Sequence, residues 1–360
     1  MSIVQVCHGE LHTLSTGYAL SVFNLIPTIG VDRKILAYGG LILKNKIYKI
    51  DDVTIKEFRD SKVILRSMLS RKRIMEILIS KKTNNKFNKE IANNKDSLFI
   101  LEGPWHYYTL KKNGVKNIIY HAHNVEYLLR SNDPFQEYVK ELERQVVTEA
   151  IHIFAITEED KESFIRIYNI DEKKISLSPT TFKEPKKKWV LNTNKEIIFL
   201  ASIYKANIDS AGFIIELARK MPEYKFHIIG SVCYKLKSLH PPPNVNLHYV
   251  VSEEKKEELY LRSSIALNPM FSGAGMSTKL MEYISYGIPV ISTEFGRRGW
   301  FKDLNIVIAE TLDEYQTKIR ELSNNPELLE TISKAEIDFS KKFSIEENQA
   351  NNLSVLYRYL

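Results

Sequence analysis

The stretch Asn268-Pro269-Met270-Phe271-Ser272-Gly273-Ala274-Gly275-Met276-Ser277-Thr278-Lys279-Leu280-Met281-Glu282-Tyr283, followed by Gly287-Ile288-Pro289-Val290-Ile291-Ser292-Thr293, constrains the fold most. It reads as strand, small-residue turn, helix, Gly-Pro break and strand. Two glycines stand where a helix begins, so several free backbone N–H groups converge there and the helix dipole adds partial positive charge. An anion, most often a phosphate, is the natural occupant. Lys279 and Glu282 are three residues apart and fall on one helix face. A cation for a diphosphate and a carboxylate for a sugar hydroxyl make chemical sense there, which points to a nucleotide-sugar pocket.

The same alternation of short apolar runs and amphipathic segments runs through the whole chain, the pattern of parallel-sheet α/β folds. Strands are expected at Ile3–Cys7, Arg33–Ala37, Ser97–Leu101, Asn117–His121 and Ile151–Ile156, with helices from Gly17 and over Asp133–Ala150. Lys183-Glu184-Pro185-Lys186-Lys187-Lys188 has nothing to bury and reads as a hinge. Beyond it, strands are expected at Glu196–Leu200, Lys225–Ile229, Val245–Tyr249 and Ile265–Asn268. Helices are expected over Asp209–Lys220, Ser252–Arg262 and the tail Ser344–Leu360. The expected boundaries are 1–182 plus the helix at about 344–360, a hinge at 183–193, and 194–343. Two such domains leave a cleft at the carboxyl ends of their strands, where open α/β sheets bind ligands.

At 360 residues the chain accommodates two domains of ordinary size. No apolar run approaches the roughly 18 residues of a membrane span, and the start of the chain lacks the features of a signal peptide. Cys7 and Cys233 fall in different expected domains, so no structural disulfide is expected and a reducing cytoplasm fits. The net charge is +7, yet the segment from Lys44 to Lys95 alone carries fifteen Lys/Arg against six Asp/Glu. A basic surface there suits a lipid headgroup surface, a phosphorylated acceptor or a nucleic acid, or is simply a solvated face. Val53 to Ile79 reads as a basic amphipathic helix that lies on an anionic membrane or packs on its own sheet.

His121-Ala122-His123-Asn124-Val125-Glu126 follows an expected strand and is a second cluster of chemistry-bearing side chains. One of its members can bond a sugar hydroxyl or stabilise a departing phosphate; a metal site lacks a sequence-adjacent partner to complete it. In Ser202-Ile203-Tyr204-Lys205-Ala206-Asn207-Ile208-Asp209, Lys205 can reach the same diphosphate, while Asn207 or, more favoured, Asp209 suits a helix cap. Near the start, Gly9 and Gly17 lie between the first strand and the first helix. No dinucleotide fingerprint, Walker loop, nucleophile elbow or zinc spacing is present.

At these residues the chain resembles the retaining two-domain (GT-B) glycosyltransferases, in particular family GT4 (glycosyl transferases group 1). His123-Asn124-Val125-Glu126 is similar to their H-N-x-E signature, and Ser202-Ile203-Tyr204-Lys205-Ala206-Asn207 to the opening of their donor domain. Lys279-Leu280-Met281-Glu282 with Gly287-Ile288-Pro289-Val290-Ile291 is the most specific part. The resemblance implies two Rossmann-like doubly wound domains facing a central cleft, with the final helix crossing back to the first. It implies a hexosyl-transferring enzyme that moves a sugar from a UDP- or GDP-sugar to a glycan or lipid-linked acceptor. No catalytic metal and no permanently bound cofactor are implied, and nucleic acid is not an expected partner.

Gly273, Gly275, Met276 and Ser277 would then bind the donor phosphates, with the Thr278 hydroxyl as an additional candidate. Lys205 and Lys279 would neutralise the diphosphate, Glu282 would hold the ribose, His123 would contact the transferred sugar, and Gly17 (less favoured, Gly9) would close over the phosphates. Two departures stand out: Ala274 occupies the place of the family's usual first Glu, and the usual Arg is not evident near Ser202. These leave room for a non-catalytic sugar-nucleotide binder, or for an acceptor that is a nucleic acid or protein surface. The implied location is cytoplasmic, with peripheral attachment to the inner membrane face through the 44–95 segment.

Overall fold

The apolar runs fold as strands buried on both faces, which is why they read as continuous rather than alternating. In β1 (Ile3–His8), Val4 and Val6 join one core cluster while Ile3 and Cys7 sit in clusters on the other face. Gln5 shares that second face and is fully buried. The computed structural model describes residues 2–9, 11, 17–38, 45–60, 65, 83–130, 133–273 and 276–360. Two compact units emerge, Met1–Thr181 with Ile345–Leu360, and Phe182–Ser344.

The first unit contains β2 (Arg33–Tyr38), β3 (Lys46–Ile50), β4 (Val53–Phe58), β5 (Leu98–Glu102), β6 (Ile118–Ala122), β7 (His152–Ala155) and β8 (Ile175–Leu177). Their order is β3-β4-β2-β1-β5-β6-β7-β8, parallel except for the antiparallel β3–β4 pair. This corrects the expectation of a helix from Val53. Residues 53–58 alternate Val, Thr, Ile, Lys, Glu, Phe, and the Asp51-Asp52 turn with Asp51 at φ 50° folds them back on β3 as a hairpin. Of the remainder of that expected helix, residues 61–64 and 66–79 lie outside the described residues.

Arg33 is buried, and its guanidinium donates to the carbonyls of Val22, Phe23 and Ile26 at 2.8–3.0 Å. These carbonyls lie at the end of helix Gly17–Asn24, where intrahelical partners run out. The tail helix Ile345–Leu356 belongs to this unit: Asn352 donates to the Leu25 carbonyl (2.8 Å) and to Ser178 Oγ (3.0 Å).

The second unit holds β9 (Glu196–Leu200), β10 (Lys225–Ile229), β11 (Val245–Tyr249), β12 (Ile265–Asn268), β13 (Val290–Ser292) and β14 (Val307–Ile308), all parallel in the order β11-β10-β9-β12-β13-β14. Its first helix runs from Lys205 to Lys220, one turn earlier than expected, so Asp209 is no cap but lies inside the helix. There it pairs with Lys205, four residues back, at 2.5 Å. Cys7 and Cys233 are free and buried, one in each unit. Among the described residues no helix is long and apolar enough to cross a membrane.

Gly230 follows β10 at φ 107°, and a Cβ there would lie 2.2 Å from the Ala201 carbonyl oxygen. Neither the backbone conformation nor the space admits a side chain. Gly230→Ala is expected to destabilise the second unit by roughly 2–4 kcal/mol, from overpacking plus backbone strain. Denaturant unfolding at equilibrium measures it.

Candidate functional site

Both sheets have a switch point, where a strand has its sequence neighbour on one side and a later strand on the other. In the second unit this is β9, flanked by β10 and β12; connections there diverge to opposite faces and leave room above the strand ends. The turns after β9 and β12 carry the sequence-predicted residues. Asn268 ends β12 fully buried, and its amide donates to Ser292 Oγ and to the Gly296 carbonyl, each at 3.0 Å. Thr293 donates to the Met270 carbonyl at 2.5 Å, and Ser210 Oγ to the Pro269 carbonyl at 2.7 Å. These bonds fix the start of the small-residue turn against its neighbours.

Helix Thr278–Tyr286 is capped by Ser277, whose hydroxyl accepts the Leu280 N–H at 3.4 Å. Accepting that N–H leaves the hydroxyl its own O–H donor beside the Ser277 backbone. Met276 is half-buried and Thr278 is exposed. Gly273 has φ 132°, and a Cβ there would lie 3.3 Å from Arg298 Nη2, so the missing side chain lets the guanidinium lie against the turn. Gly275, like Ala274, is outside the described residues.

Lys279 turns inward. Its Nζ donates to Asn207 Oδ1 at 2.6 Å, touches Met270 Sδ at 3.1 Å and lies 4.8 Å from the centre of the Phe199 ring. Among the described residues no carboxylate is within ion-pair reach of it. Burial, and secondarily the Arg298 charge, pull its pKa down to about 7. Arg298 is itself held below its ordinary value by burial. The Lys279 ammonium is thus held by neutral groups, with the Arg298 guanidinium as a neighbouring positive charge.

Glu282 faces elsewhere. Its carboxylate pairs with Lys256 of helix Glu253–Arg262 at 2.7 Å. The shared helix face expected for Lys279 and Glu282 is thus divided between different partners: Lys279 reaches back over the strand ends, Glu282 sideways to the next helix. Lys205 is exposed and paired with Asp209; its helix contributes Asn207, not Lys205 itself, to the Lys279 contact. Sequence spacing does not mark Asn207 or Arg298 as neighbours of Lys279. Asn207 sits in the first turn of a helix whose sequence signals point to a start at Asp209, and Arg298 follows β13 in a segment with no motif to mark it.

In the first unit the switch point is β1, between β2 and β5. His123 lies just past the end of β6, and its ring packs on Tyr18 of helix Gly17–Asn24 with centroids 4.6 Å apart. Glu102, the last residue of β5, is fully buried and was not singled out in the sequence. Its Oε2 lies 2.8 Å from His121 Nδ1 and 2.7 Å from His123 Nε2. Sequence spacing offers the histidine pair no adjacent metal-site partner; the fold brings Glu102 to it from β5, so that one ligand-type atom from each of the three residues lies within 4.8 Å of the others. Hydrogen bonding accounts for the cluster, since the second Glu102 oxygen accepts from Gln5. Burial raises the Glu102 carboxyl, but His121 and His123 outweigh it and hold the pKa at about 2.

Tyr18 Oη bonds His8 Nδ1 at 2.9 Å, and burial pushes the His8 pKa down to about 3. Gly17 opens its helix beside this cluster, and Gly9 has φ 83° with no atom of the described residues within 4 Å of where a Cβ would stand. Glu126, by contrast, is 9% exposed and faces Arg130 and Glu143. Burial, then the Glu143 charge, push its pKa up to about 7.

Comparison with known structures gives the class. Over its whole length the chain is similar to HepE from Anabaena in complex with UDP, with TM-score 0.71, 10% identity, and coverage of 99% of this chain and 100% of that chain. TarM from S. aureus, in a complex that includes UDP and alpha-GlcNAc-glycerol, gives 0.72 at 13% identity, covering 98% and 99%. Sucrose-phosphate synthase from Thermosynechococcus elongatus gives 0.73 at 11%, covering 100% and 99%. The fold is that of the two-domain (GT-B) glycosyltransferases. Residues 194–325 match the family model described as glycosyl transferases group 1, so the second unit is a glycosyltransferase domain of that group. A search of the curated proteins finds no match.

Proposed function

We propose that the chain is a retaining glycosyltransferase that moves a sugar from a nucleoside-diphosphate sugar to a glycan, a lipid-linked saccharide or a similar acceptor. The observation that carries this reading is Lys279, an enclosed ammonium at the start of helix Thr278–Tyr286, held by neutral groups and accompanied by Arg298. Such an arrangement is costly until a polyanion arrives, and a diphosphate supplies both charge and hydrogen-bond acceptors. The bond from the sugar's anomeric carbon to the diphosphate breaks with its electron pair on the phosphate. The acceptor oxygen bonds to the same carbon on the same face, and its proton passes to the departing phosphate.

In this reading Lys279 stabilises the leaving group and the Gly273–Thr278 turn, Gly275 included, lends backbone donors. Lys205 joins once released from Asp209, and Glu282 holds the ribose while shared with Lys256. His123 contacts the transferred sugar, and Gly17 approaches the phosphates. Basic residues take the charge-stabilising role, so no catalytic metal is invoked. The UDP in the HepE and TarM complexes supports a UDP-sugar ahead of a GDP-sugar. The first unit would take the acceptor, with the basic 44–95 segment docking it or an anionic membrane surface from the cytoplasmic side.

A thermal-shift panel of sugar nucleotides tests the pocket. A true donor at a hundred times its Kd is expected to stabilise the protein by about 2.7 kcal/mol through mass action, and a panel with no shift would remove the reading. Ala274, in place of the family's usual acid, favours a second reading as a non-catalytic binder of the same nucleotide. That reading predicts a thermal shift with neither transfer nor donor hydrolysis.

A further inference from the structure

We propose that Glu102 is a positioning residue that sets the tautomer of His123, so that the histidine presents an unprotonated Nδ1, a hydrogen-bond acceptor, to the sugar. This rests on the reading of His123 as the sugar contact and specifies what kind of group it can meet there.

The direction of every proton in the network is fixed from one end. Arg33 has only donors to offer. Its Nε and Nη2 both reach Gln5 Oε1, at 3.0 and 2.5 Å, so the Gln5 amide cannot be reversed. Gln5 Nε2 must then face outward as a donor, and it meets the Val22 carbonyl at 2.7 Å and Glu102 Oε1. Glu102 is an acceptor throughout. Its remaining oxygen, Oε2, faces His121 Nδ1 and His123 Nε2, so both of those ring nitrogens carry the hydrogen. Burial, then the neighbouring His121, lower the His123 pKa, which agrees with a single proton on its ring. With that proton on Nε2, Nδ1 keeps its lone pair. The Tyr18 ring against His123 fixes the orientation, and the Tyr18 hydroxyl is engaged with His8.

A ligand group that meets such a nitrogen must be a donor. A sugar hydroxyl qualifies, whereas a fully ionised phosphate oxygen does not. Of the two roles open to a histidine here, binding a hydroxyl or stabilising a departing phosphate, the network selects the first. Lys279 and Arg298 remain for the second.

Glu102→Gln reverses the logic. Its amide must either set N–H₂ against the fixed Gln5 N–H₂ or turn it toward the histidines, which then become acceptors and move the His123 hydrogen to Nδ1. The test is a two-bond proton–nitrogen correlation on the full chain with labelled histidine at pH 7, with His123 assigned by the signal lost in His123→Ala. The expected result is the Nε2–H tautomer in the wild type and in Glu102→Asp, and Nδ1–H in Glu102→Gln. In that last variant kcat is expected to fall about tenfold or more while nucleotide affinity is unchanged, the cost of one lost or reversed hydrogen bond in the reacting complex. An Nδ1–H or doubly protonated His123 in the wild type overturns the proposal, and so does an unchanged tautomer in a folded Glu102→Gln. Should that variant not fold, the wild-type spectrum decides. If the tautomer is as stated but His123→Ala keeps full turnover, the sugar-contact reading fails while the Glu102 assignment stands.

Discussion

Lys279→Met is expected to lower kcat/KM for sugar transfer by roughly a thousandfold, about 4 kcal/mol, the scale on which a preorganised group facing developing charge acts. The substitution keeps the stem that lies over Phe199 and removes only the ammonium that Asn207 orients. A fold-preserving loss is therefore expected, to be read in a transfer assay alongside an unchanged unfolding midpoint. Turnover within threefold of the wild type would place the donor elsewhere. The pH dependence supplies an independent check. Because the ammonium titrates near 7 in the free protein, donor affinity should be level below that pH. Above it affinity should decline by up to tenfold per pH unit, since only the protonated lysine pairs with the diphosphate. A sugar nucleotide has no phosphate monoester to titrate in this range, so the falling limb reports the protein. Calorimetry in buffers of different ionisation enthalpy should show proton uptake on binding above pH 7, and Lys279→Met should abolish it.

The parallel-sheet architecture was legible because period and length speak together. Apolar runs of four to six residues between capped amphipathic segments have few other solutions, and β1, β9 and β12 fall where the pattern puts them. The hairpin β3–β4 was not legible, because charged residues alternate through an edge pair that needs only one buried face, and the same residues suit an amphipathic helix. For the site, sequence locates what is contiguous: the turn before Thr278, Lys279 and the His123 cluster. It does not locate partners that only register brings together. Glu102 meets His121 because β5 and β6 pair at those two positions, 19 residues apart. Asn207 meets Lys279 across 72 residues, and Glu282 is drawn to Lys256 by a helix whose packing no spacing rule states.

The turn that carries His123 depends on one buried carboxylate, and its loss gives the largest stability effect expected in the first unit. Glu143 is fully buried in helix Gln136–Glu149. It accepts the backbone N–H groups of Glu126 (2.9 Å) and Tyr127 (3.2 Å) and the hydroxyls of Tyr168 (2.7 Å) and Tyr120 (3.3 Å). Glu143→Ala leaves four donors, three of them in buried bonds, without that acceptor and opens a cavity. About 3–5 kcal/mol of destabilisation is expected, measured by denaturant unfolding with the midpoint falling at constant slope. Glu143→Gln keeps the volume and one acceptor oxygen but sets its N–H₂ against one of the two backbone N–H groups, so it should cost less than the alanine while remaining destabilising.

The charge on that carboxylate can be separated from its hydrogen bonds by pH. Burial pushes Glu143 up to about 7, against the four bonds that lower it, and Glu126 beside it is raised to about 7 by burial and by Glu143. Both native values stand above the unfolded value near 4.3, so the native state holds more protons between these limits. The pair therefore costs nothing at acid pH and erodes stability progressively as pH rises from about 4.5 to 7. Glu126→Gln removes one of the two charges and the repulsion on the other. The stability difference between this variant and the wild type should accordingly move in the variant's favour as pH is raised from 5 to 8. A difference that stays flat over that range would show that Arg130, 3.9 Å from Glu126, already neutralises the pair.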